Sequence, residues 1–246
     1  MAGRKYLIVN ADDFGQSPGV NRGIIEARKR GIVTSASLMT RWSAAAEAAA
    51  YARAHSALSL GLHVDLGEWA YRQGTWLPLY EVVPVEDGAA IKTEVAKQLA
   101  AFRRLVGKHP THIDSHQHVH QREPARSVLI DIARKLGVPL RHVSPSVHYC
   151  GDFYGQTAEG DPLPGAITVE GLLKIIAALP DGLTELGCHP GYGNELDTMY
   201  RDEREQETRV LCDPQVREAL DSLDIDLVSF AYGRGNTTSE EKVIAE

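Results

Sequence analysis

The sequence predicts a single α/β domain that closes into a barrel of alternating strands and helices. Its 246 residues suit a (β/α)₈-type barrel, which takes roughly 250 residues as one unit. Short apolar runs rich in β-branched residues recur along the chain, with segments of helical periodicity between them. This alternation is typical of parallel sheets with crossover helices. About seven such units in one chain of this length favour a barrel over an open sheet.

Seven short apolar segments are predicted as strands: 6–9, 33–39, 58–64, 112–113, 140–143, 184–186 and 227–230. Seven segments with apolar residues at helical spacing are predicted as helices: 20–30, 42–55, 93–105, 123–136, 169–178, 201–211 and 213–223. In the last of these, Asp213 suits the N-cap and Pro214 suits the first turn.

Two stretches, at about 68–88 and 144–165, break the alternation with Gly, Pro and aromatic residues. Loops of this length inside a compact domain tend to be functional or disordered, and the aromatic content disfavours disorder. We therefore interpret residues 1–246 as one barrel domain that carries these two loop insertions. Residues 234–246 form a polar tail, which we expect to be frayed.

The composition excludes several classes of protein. Lys and Arg total 26 and Asp and Glu total 33, for a net charge of −7. A nucleic-acid binder, or a protein that docks on anionic membranes, normally carries a basic surface. The sequence contains no apolar run of about eighteen residues, and its N-terminus lacks a signal-peptide core. Three cysteines without metal-type spacing indicate reduced thiols, so we expect a cytoplasmic protein.

Polar residues cluster where four of the predicted strands end, at 10–15, 61–65, 112–120 and 188–191. In a barrel the carboxyl ends of the strands share one face, and active sites lie there. Four clusters of Asp and His at these positions predict one site. Scattered surface residues would not coincide with the strand ends.

The first cluster contains the adjacent carboxylates Asp12 and Asp13. On an extended strand their side chains would point in opposite directions, but where the chain turns both could reach one centre. Beside a metal ion, one carboxylate can hold the ion while the other takes a proton from bound water. The alternative, that Asp13 only ends the strand before Gly15 and Pro18, stays open at this point.

In the third cluster, His116, His118 and His120 alternate and would share one face of an extended segment with Asp114. A lone histidine is usually a satisfied polar group, so His112 and His120 receive no role. Several imidazoles beside a carboxylate indicate a cation or a catalytic network. Mixed Asp and His ligands suit Zn, Co, Mn or Fe, and suit Mg less well. Asp114 or Asp65 could accept the second ring proton of a ligating histidine.

These clusters resemble the motifs of the YdjC-like carbohydrate deacetylases, the family of chitooligosaccharide and hopanoid-pathway deacetylases. The similar segments are NADDFG at 10–15, GLH at 61–63, THIDSHQHVH at 111–120 and CHPGY at 188–192, in family order. The resemblance extends from about residue 6 to about residue 232, and it implies a distorted TIM-like barrel.

By that resemblance, Asp13, His63 and His116 hold one divalent metal ion, which is magnesium in the family, with Zn, Co or Mn as alternatives. Asp12 is the general base, and His189 is the general acid that protonates the leaving amine. The implied reaction is hydrolysis of an N-acetyl group on an amino sugar. An amide is a poor electrophile with a poor leaving group, so its hydrolysis needs both an activated water and a proton donor.

Further side chains are candidates for supporting the ligands or contacting substrate: Asp114, His118, Arg141, Trp69, Trp76, Tyr149 and Tyr154. The four aromatic residues could stack on sugar rings at the mouth of the site. They could equally pack the loops onto the barrel, because aromatic side chains account for much of the buried area of any protein.

Two other functions compete with deacetylation. One is a different metal-dependent amidohydrolase on a TIM-like barrel, although such enzymes usually carry a His-x-His pair on the first strand. The other is a non-catalytic sugar-binding protein, which would have no need of both Asp12 and His189. The expected partner is an acetylated amino sugar, without nucleic acid or membrane insertion, and a homo-oligomer stays open.

Overall fold

The computed structural model of the protein describes residues 3–193 and 195–232. Within these residues the strands β1 to β9 are Lys5–Phe14, Ser35–Leu38, Ser59–Val64, Gly67–Arg72, Thr75–Glu81, Ile113–Ser115, His148–Cys150, Gly182–Cys188 and Ile225–Leu227. The helices α1 to α7 are Pro18–Arg30, Ala45–Ala54, Gly88–Val106, Ala125–Leu136, Val169–Ala178, Glu203–Leu211 and Pro214–Ser222.

The central sheet is parallel, with the strand order β6-β3-β2-β1-β8-β7. Its middle strand, β1, pairs with β8 along one edge from Lys5 to Ala11. On its other edge β1 pairs first with β9 and then with β2. The alternation of strand and helix that the sequence predicts is therefore confirmed, as is the parallel direction of the strands.

A closed TIM-like barrel is not confirmed. In the described part of the chain no ladder joins the two outer strands, β6 and β7, so the sheet curls into a half-barrel. The predicted strand at 140–143 is wrong, because Leu140 forms only a single bridge to Ile113. His142 then adopts a left-handed backbone with φ of 61°, which ends any extended run.

Both predicted loop insertions contain regular structure. The stretch at 68–88 folds mainly as an antiparallel hairpin of β4 and β5, which is separate from the central sheet. The stretch at 144–165 supplies the short strand β7. The last strand is Ile225–Leu227, earlier than the predicted 227–230. The predicted polar tail at 234–246 lies outside the described residues.

Helix boundaries follow local capping chemistry. Ser17 caps α1 by accepting a hydrogen bond from the Val20 backbone N–H, and Pro18 opens the helix. Asp213 caps α7 as predicted, because its side chain accepts from the Gln215 N–H at 2.9 Å. None of the helices in the described ranges is long and apolar enough to cross a membrane.

The carboxyl ends of β1, β3, β6 and β8 meet at one rim of the half-barrel. Paired residues at this rim include Ala11 with Cys188 and His63 with Asp114. The four predicted polar clusters therefore come together, and the prediction of their common location is confirmed. The strands beneath them are buried along nearly their whole length, so the rim stands on a rigid core.

Candidate active site

Asp13, His63 and His116 form a compact, buried group at this rim. Candidate ligand atoms of the three side chains all lie within 4.8 Å of one another. Asp13 Oδ1 lies 3.2 Å from His63 Nε2 and 3.0 Å from His116 Nδ1. A carboxylate and two imidazoles at this spacing could hold a divalent metal ion.

Backbone conformation explains how neighbouring residues reach one centre. Asp13 has a φ of 65°, which turns the end of β1 and brings its carboxylate round to the side that Asp12 faces. The segment after β6 is a tight 3₁₀ turn, His116–Gln121, with φ of 48° at Gln117 and 52° at His118. The prediction of an extended segment with His116, His118 and His120 on one face is therefore wrong.

Each buried imidazole has one nitrogen atom that faces a carboxylate without a hydrogen bond. Nε2 of His63 lies 3.2 Å from Asp13 Oδ1, and Nε2 of His116 lies 3.5 Å from Glu68 Oε2. On the far side of the His63 ring, Nδ1 donates to Asp114 Oδ1 at 2.8 Å. This is the arrangement that orients a metal-ligating histidine, so these residues fit a metal ion. Asp65, the other predicted acceptor, instead binds Arg41, Trp42 and Tyr80.

The charge around His63 favours its protonated form in the absence of a cation. Burial lowers the pKa of this imidazole, but Asp114 and Asp13 outweigh burial and raise it to about 9. Burial likewise opposes ionisation of Asp13, whereas Arg204 and His116 hold its pKa well below the usual range. The carboxylates therefore favour positive charge at the two imidazoles, and a bound cation would take the place of their protons.

Asp12 lies on the side of this group occupied by Arg141. Arg141 donates Nη1 to Asp12 Oδ2 at 2.6 Å and Nη2 to Asp12 Oδ1 at 2.8 Å. The same guanidinium reaches Glu185 Oε1 at 2.6 Å and Asp114 Oδ2 at 2.9 Å. Burial alone would raise the pKa of Asp12, but the positive charge of Arg141 outweighs burial and lowers the pKa of this carboxyl.

Asp12, His63 and Asp114 are also close enough together to hold a cation. Arg141 forms ion pairs with both of these carboxylates, so a guanidinium already supplies positive charge there. His63 Nδ1 is also engaged with Asp114. The geometry therefore favours the Asp13, His63 and His116 group as the metal site.

His189 follows β8 and lies beside Asp12. Its Nε2 atom is 3.8 Å from Asp12 Oδ2, and its Nδ1 atom is buried without a hydrogen bond. Burial lowers the pKa of His189 to about 4, against the opposing effect of Asp12 and Asp13. The imidazole is therefore neutral at pH 7 and able to accept a proton.

Helix α6 contributes two buried charged residues that the sequence analysis missed. Arg204 donates Nη2 to Asp13 Oδ2 at 2.7 Å, and Glu207 accepts a hydrogen bond from the His189 backbone N–H at 2.5 Å. Thr208 Oγ accepts from the Gly191 N–H. These residues occupy one helix face at spacings of three and four. That spacing was the available signal, but charged residues on a helix normally face solvent.

A cavity of about 830 Å³ opens above Asp13 and His116. All four predicted aromatic residues line it: Trp69, Trp76, Tyr149 and Tyr154. Asp13, His116, His189 and Arg204 also line it, so the reactive groups face the same space as the aromatic rings. The volume lies in the range of small-molecule binding pockets, roughly 300–1,000 Å³.

His118 stands on the wall of this cavity and does not contact the metal-site residues by any hydrogen bond described. Its Nε2 atom lies 3.5 Å from the Tyr149 hydroxyl, and its ring packs on His142 at a centroid distance of 5.2 Å. Burial and the nearby Arg141 lower its pKa to about 3. His118 is thus a neutral wall residue, whereas Asp114 directly supports His63.

The model of the YdjC-like protein family matches residues 6–222 of the chain. The chain belongs to the YdjC-like family. The resemblance seen in the sequence motifs is thereby confirmed, and the match covers every residue of the candidate site described above.

Curated relatives are similar to this chain over most of its length. A carbohydrate deacetylase of Geobacillus stearothermophilus is 33% identical, with 92% of this chain and 97% of the relative covered. A chitooligosaccharide deacetylase of Serratia marcescens is 31% identical, with 92% of this chain and 98% of the relative covered. Among solved structures, a candidate cellobiose-phosphate cleavage protein of Enterococcus faecalis V583 has a TM-score of 0.74 at 27% identity, with 92% and 98% covered.

Proposed function

We propose that the protein is a metal-dependent deacetylase that removes an N-acetyl group from an acetylated amino sugar or oligosaccharide. The observation that carries the proposal is the 3.8 Å separation of Asp12 Oδ2 from His189 Nε2, beside the Asp13, His63 and His116 group. His189, Asp13 and His116 line one cavity, and Asp12 lies directly beside His189. The names of the two curated relatives support the same reaction.

Asp13, His63 and His116 are the residues that would hold the metal ion. A bound divalent ion supplies a water of lowered pKa, down to about 7 from 15.7, and polarises the acetyl carbonyl. The resemblance to the family favours magnesium, whereas two imidazole ligands also suit Zn, Co or Mn. Reconstitution of metal-free protein with each ion, followed by measurement of acetate release, distinguishes these metals.

Asp12 takes a proton from the attacking water in this scheme. Arg141 keeps the carboxylate ionised and fixes both of its oxygens, so the acceptor is oriented before substrate arrives. Because the pKa of Asp12 is lowered, the protonated carboxyl is a strong acid and readily passes its proton on. His189 Nε2, at 3.8 Å, is the neighbouring acceptor.

His189 then donates that proton to the amide nitrogen as the C–N bond breaks. The new C–O bond leaves acetic acid, which loses its remaining proton to solvent as acetate, and the nitrogen leaves as a free amine. One proton thus travels from water through Asp12 and His189 to the leaving group, and both residues return to their starting state. General acid–base assistance of this kind contributes typically about 10²- to 10⁴-fold to the rate.

The aromatic walls of the cavity suit a sugar. Trp69 and Tyr71 on β4 lie opposite Pro78 and Trp76 on β5, and the Tyr71 and Trp76 rings meet edge to face at 5.6 Å. Trp76 is 48% exposed, so its ring is available at the cavity mouth. We propose that Trp69 and Trp76 contact the sugar rings, with Tyr149 and Tyr154 on the opposite wall.

Acetate release from N,N′-diacetylchitobiose, with and without a chelator, tests the proposed function. Metal-dependent release supports it. Absence of acetate from every acetylated amino sugar, together with ammonia release from a cyclic amide, would instead identify an amidohydrolase. Sugar binding without turnover would identify a binding protein.

A further inference from the structure

Glu207 is a fully buried carboxyl on α6, and the proton route from water to the amine does not include it. Its side chain is 0% exposed. Buried carboxyl groups are costly unless every oxygen has a partner, so such a group directly behind His189, which lines the cavity, marks a candidate functional residue. Its partners show which residue it serves.

Two donors hold the Glu207 carboxyl from different directions. Oε2 accepts the His189 backbone N–H at 2.5 Å, and Oε1 accepts the Tyr200 hydroxyl. The Tyr200 oxygen in turn accepts the Gly155 N–H at 2.9 Å, and its ring stacks on Tyr154 at 4.4 Å. The carboxyl is therefore fixed in place against the residue that carries the proposed acid.

The imidazole of His189 has an unpartnered nitrogen atom on the side of Glu207. Its Nδ1 atom is buried and has no hydrogen-bond partner, and Glu207 Oε1 lies 4.0 Å from it. The rings of Tyr154 and Tyr200 pack on the imidazole at 5.5 and 5.2 Å. Glu207 is the carboxyl that faces Nδ1, while Asp12 faces Nε2 from the other side.

The two nitrogen atoms of the His189 ring have different roles in the proposed reaction. To accept a proton from Asp12, Nε2 must present a lone pair, and the single proton of the neutral ring must then sit on Nδ1. A carboxyl facing Nδ1 stabilises that tautomer and the imidazolium that forms next, as carboxylates beside catalytic histidines do. In the other tautomer the proton sits on Nε2, so this nitrogen would face Asp12 as a hydrogen-bond donor and could not accept a proton from it.

We propose that Glu207 is a positioning residue that holds His189 in the Nδ1–H tautomer, so that Nε2 can relay a proton to the leaving amine. The inference deepens the proposed deacetylation and rests on it. Arg204 lies three residues earlier on the same helix and holds Asp13. Helix α6 therefore positions both the metal ligand and the acid, and it sets their separation.

The tautomer can be measured without turnover. Long-range ¹H–¹⁵N correlation spectra of the full chain with ¹⁵N-labelled histidine, metal-free and with Mg²⁺, report which ring nitrogen carries the proton, and an H189Q sample assigns the signals. We expect Nδ1–H in the wild-type protein. In E207Q, which presents a donor in place of an acceptor, we expect the population to move toward Nε2–H.

Glu203 provides the matched control, because it lies on the same helix and binds Gln156 instead of His189. E203Q should keep the wild-type tautomer. If E207Q does not fold, E207D retains the carboxyl group at a greater distance and should give a mixture of tautomers. A wild-type Nε2–H tautomer, or an E207Q or E207D spectrum identical to wild type, would overturn the proposal.

Kinetics supply a second readout. E207Q should lower kcat about 100-fold or more on an N-acetyl sugar, within the usual contribution of general acid–base assistance. It should change kcat on an aryl acetate less than threefold, since a phenolate leaves without protonation. Equal losses on both substrates would contradict the proposal. If the wild-type chain deacetylates no amino sugar, the proposed function fails, while the spectra still decide the relation of Glu207 to His189.

Discussion

Arg141 and Asp12 form a buried bidentate ion pair, with both guanidinium nitrogens within 2.8 Å of the carboxylate oxygens. Both side chains are almost fully buried, at 1% and 2% exposure. Two parallel hydrogen bonds fix the orientation of the carboxylate as well as its charge. The proposed base is thus held in place by a residue that does not itself enter the reaction.

Replacing Arg141 should destabilise the fold as well as abolish activity. R141M leaves Asp12, Asp114 and Glu185 without their shared cation, and removing one partner of a buried ion pair costs about 3–5 kcal/mol. Urea denaturation followed by circular dichroism measures this loss. R134M is the control, because the Arg134–Asp131 pair is exposed and its loss should change the unfolding free energy by less than about 1 kcal/mol.

Substitutions of Asp12 and Asp13 should have different effects on the catalytic rate and on metal binding. D13N removes a proposed ligand, so we expect metal content and activity to be lost together. D12N keeps the three ligands, and we expect full metal content with kcat lowered by about 10²- to 10⁴-fold. Elemental analysis after dialysis and an acetate assay give both quantities. A D12N protein with wild-type kcat would rule out Asp12 as the base.

The hairpin tryptophans should affect substrate binding more than chemistry. W76A removes an exposed ring from the cavity mouth, and we expect KM for an acetylated chitooligosaccharide to rise about tenfold, equivalent to about 1.4 kcal/mol, with kcat unchanged. Trp42 packs on Tyr80 and is absent from the cavity lining, so W42F is the control. An equal rise in KM for both variants would contradict a sugar-binding role.

Stability should fall in acid because buried histidines are held neutral. Burial and Arg141 lower the pKa of His120 to about 4, and its two ring nitrogens bind the Ser115 hydroxyl and the Arg141 carbonyl. Between pH 6.5 and 4 the unfolded chain binds a proton that the folded chain does not. The unfolding free energy therefore falls with decreasing pH, by up to about 1.4 kcal/mol per unit from this residue.

The H120Q variant isolates that contribution from the other titrating groups. Burial raises the pKa values of Glu185 and Glu207 to about 7 and about 8. Over part of this pH range, these two carboxyl groups instead make the unfolding free energy rise as the pH falls. The difference in slope between H120Q and the wild type removes their effect. Urea titrations of metal-free protein at several pH values should show a shallower slope for H120Q, and parallel curves would contradict a neutral buried His120.

The parts of the fold that could be predicted from sequence are those set by short-range chemistry. Asp213 and Pro214 mark the start of α7 through capping and a fixed φ, and the structure begins that helix at Pro214. Polar residues after apolar strands likewise located the rim. Closure of the sheet depends on whether distant strands pair, which local periodicity does not report.

The turn at His116–Gln121 shows a second reason why a prediction from sequence was wrong. Alternating histidines at 116, 118 and 120 read as one face of a strand, but Gln117 and His118 both adopt left-handed backbone conformations. Such conformations are unusual for residues with side chains, so no sequence rule favours them here. His116 still reaches Asp13, whereas His118 and His120 turn away into a separate group around His142.

The hairpin of β4 and β5 has an evolutionary consequence, because it is a sheet of its own. Its strands can change length or sequence without shifting the register of the parallel strands that carry Asp13 and His63. The attachments that must survive include two at the ends of the hairpin. The Gln117 amide pairs with both backbone groups of Trp69, at 2.9 and 2.8 Å, and the Tyr80 hydroxyl donates to Asp65 Oδ1 at 3.0 Å. Exchange of residues 70–79 between relatives would therefore transfer preference for one sugar over another, while the hydrolytic groups stay as they are.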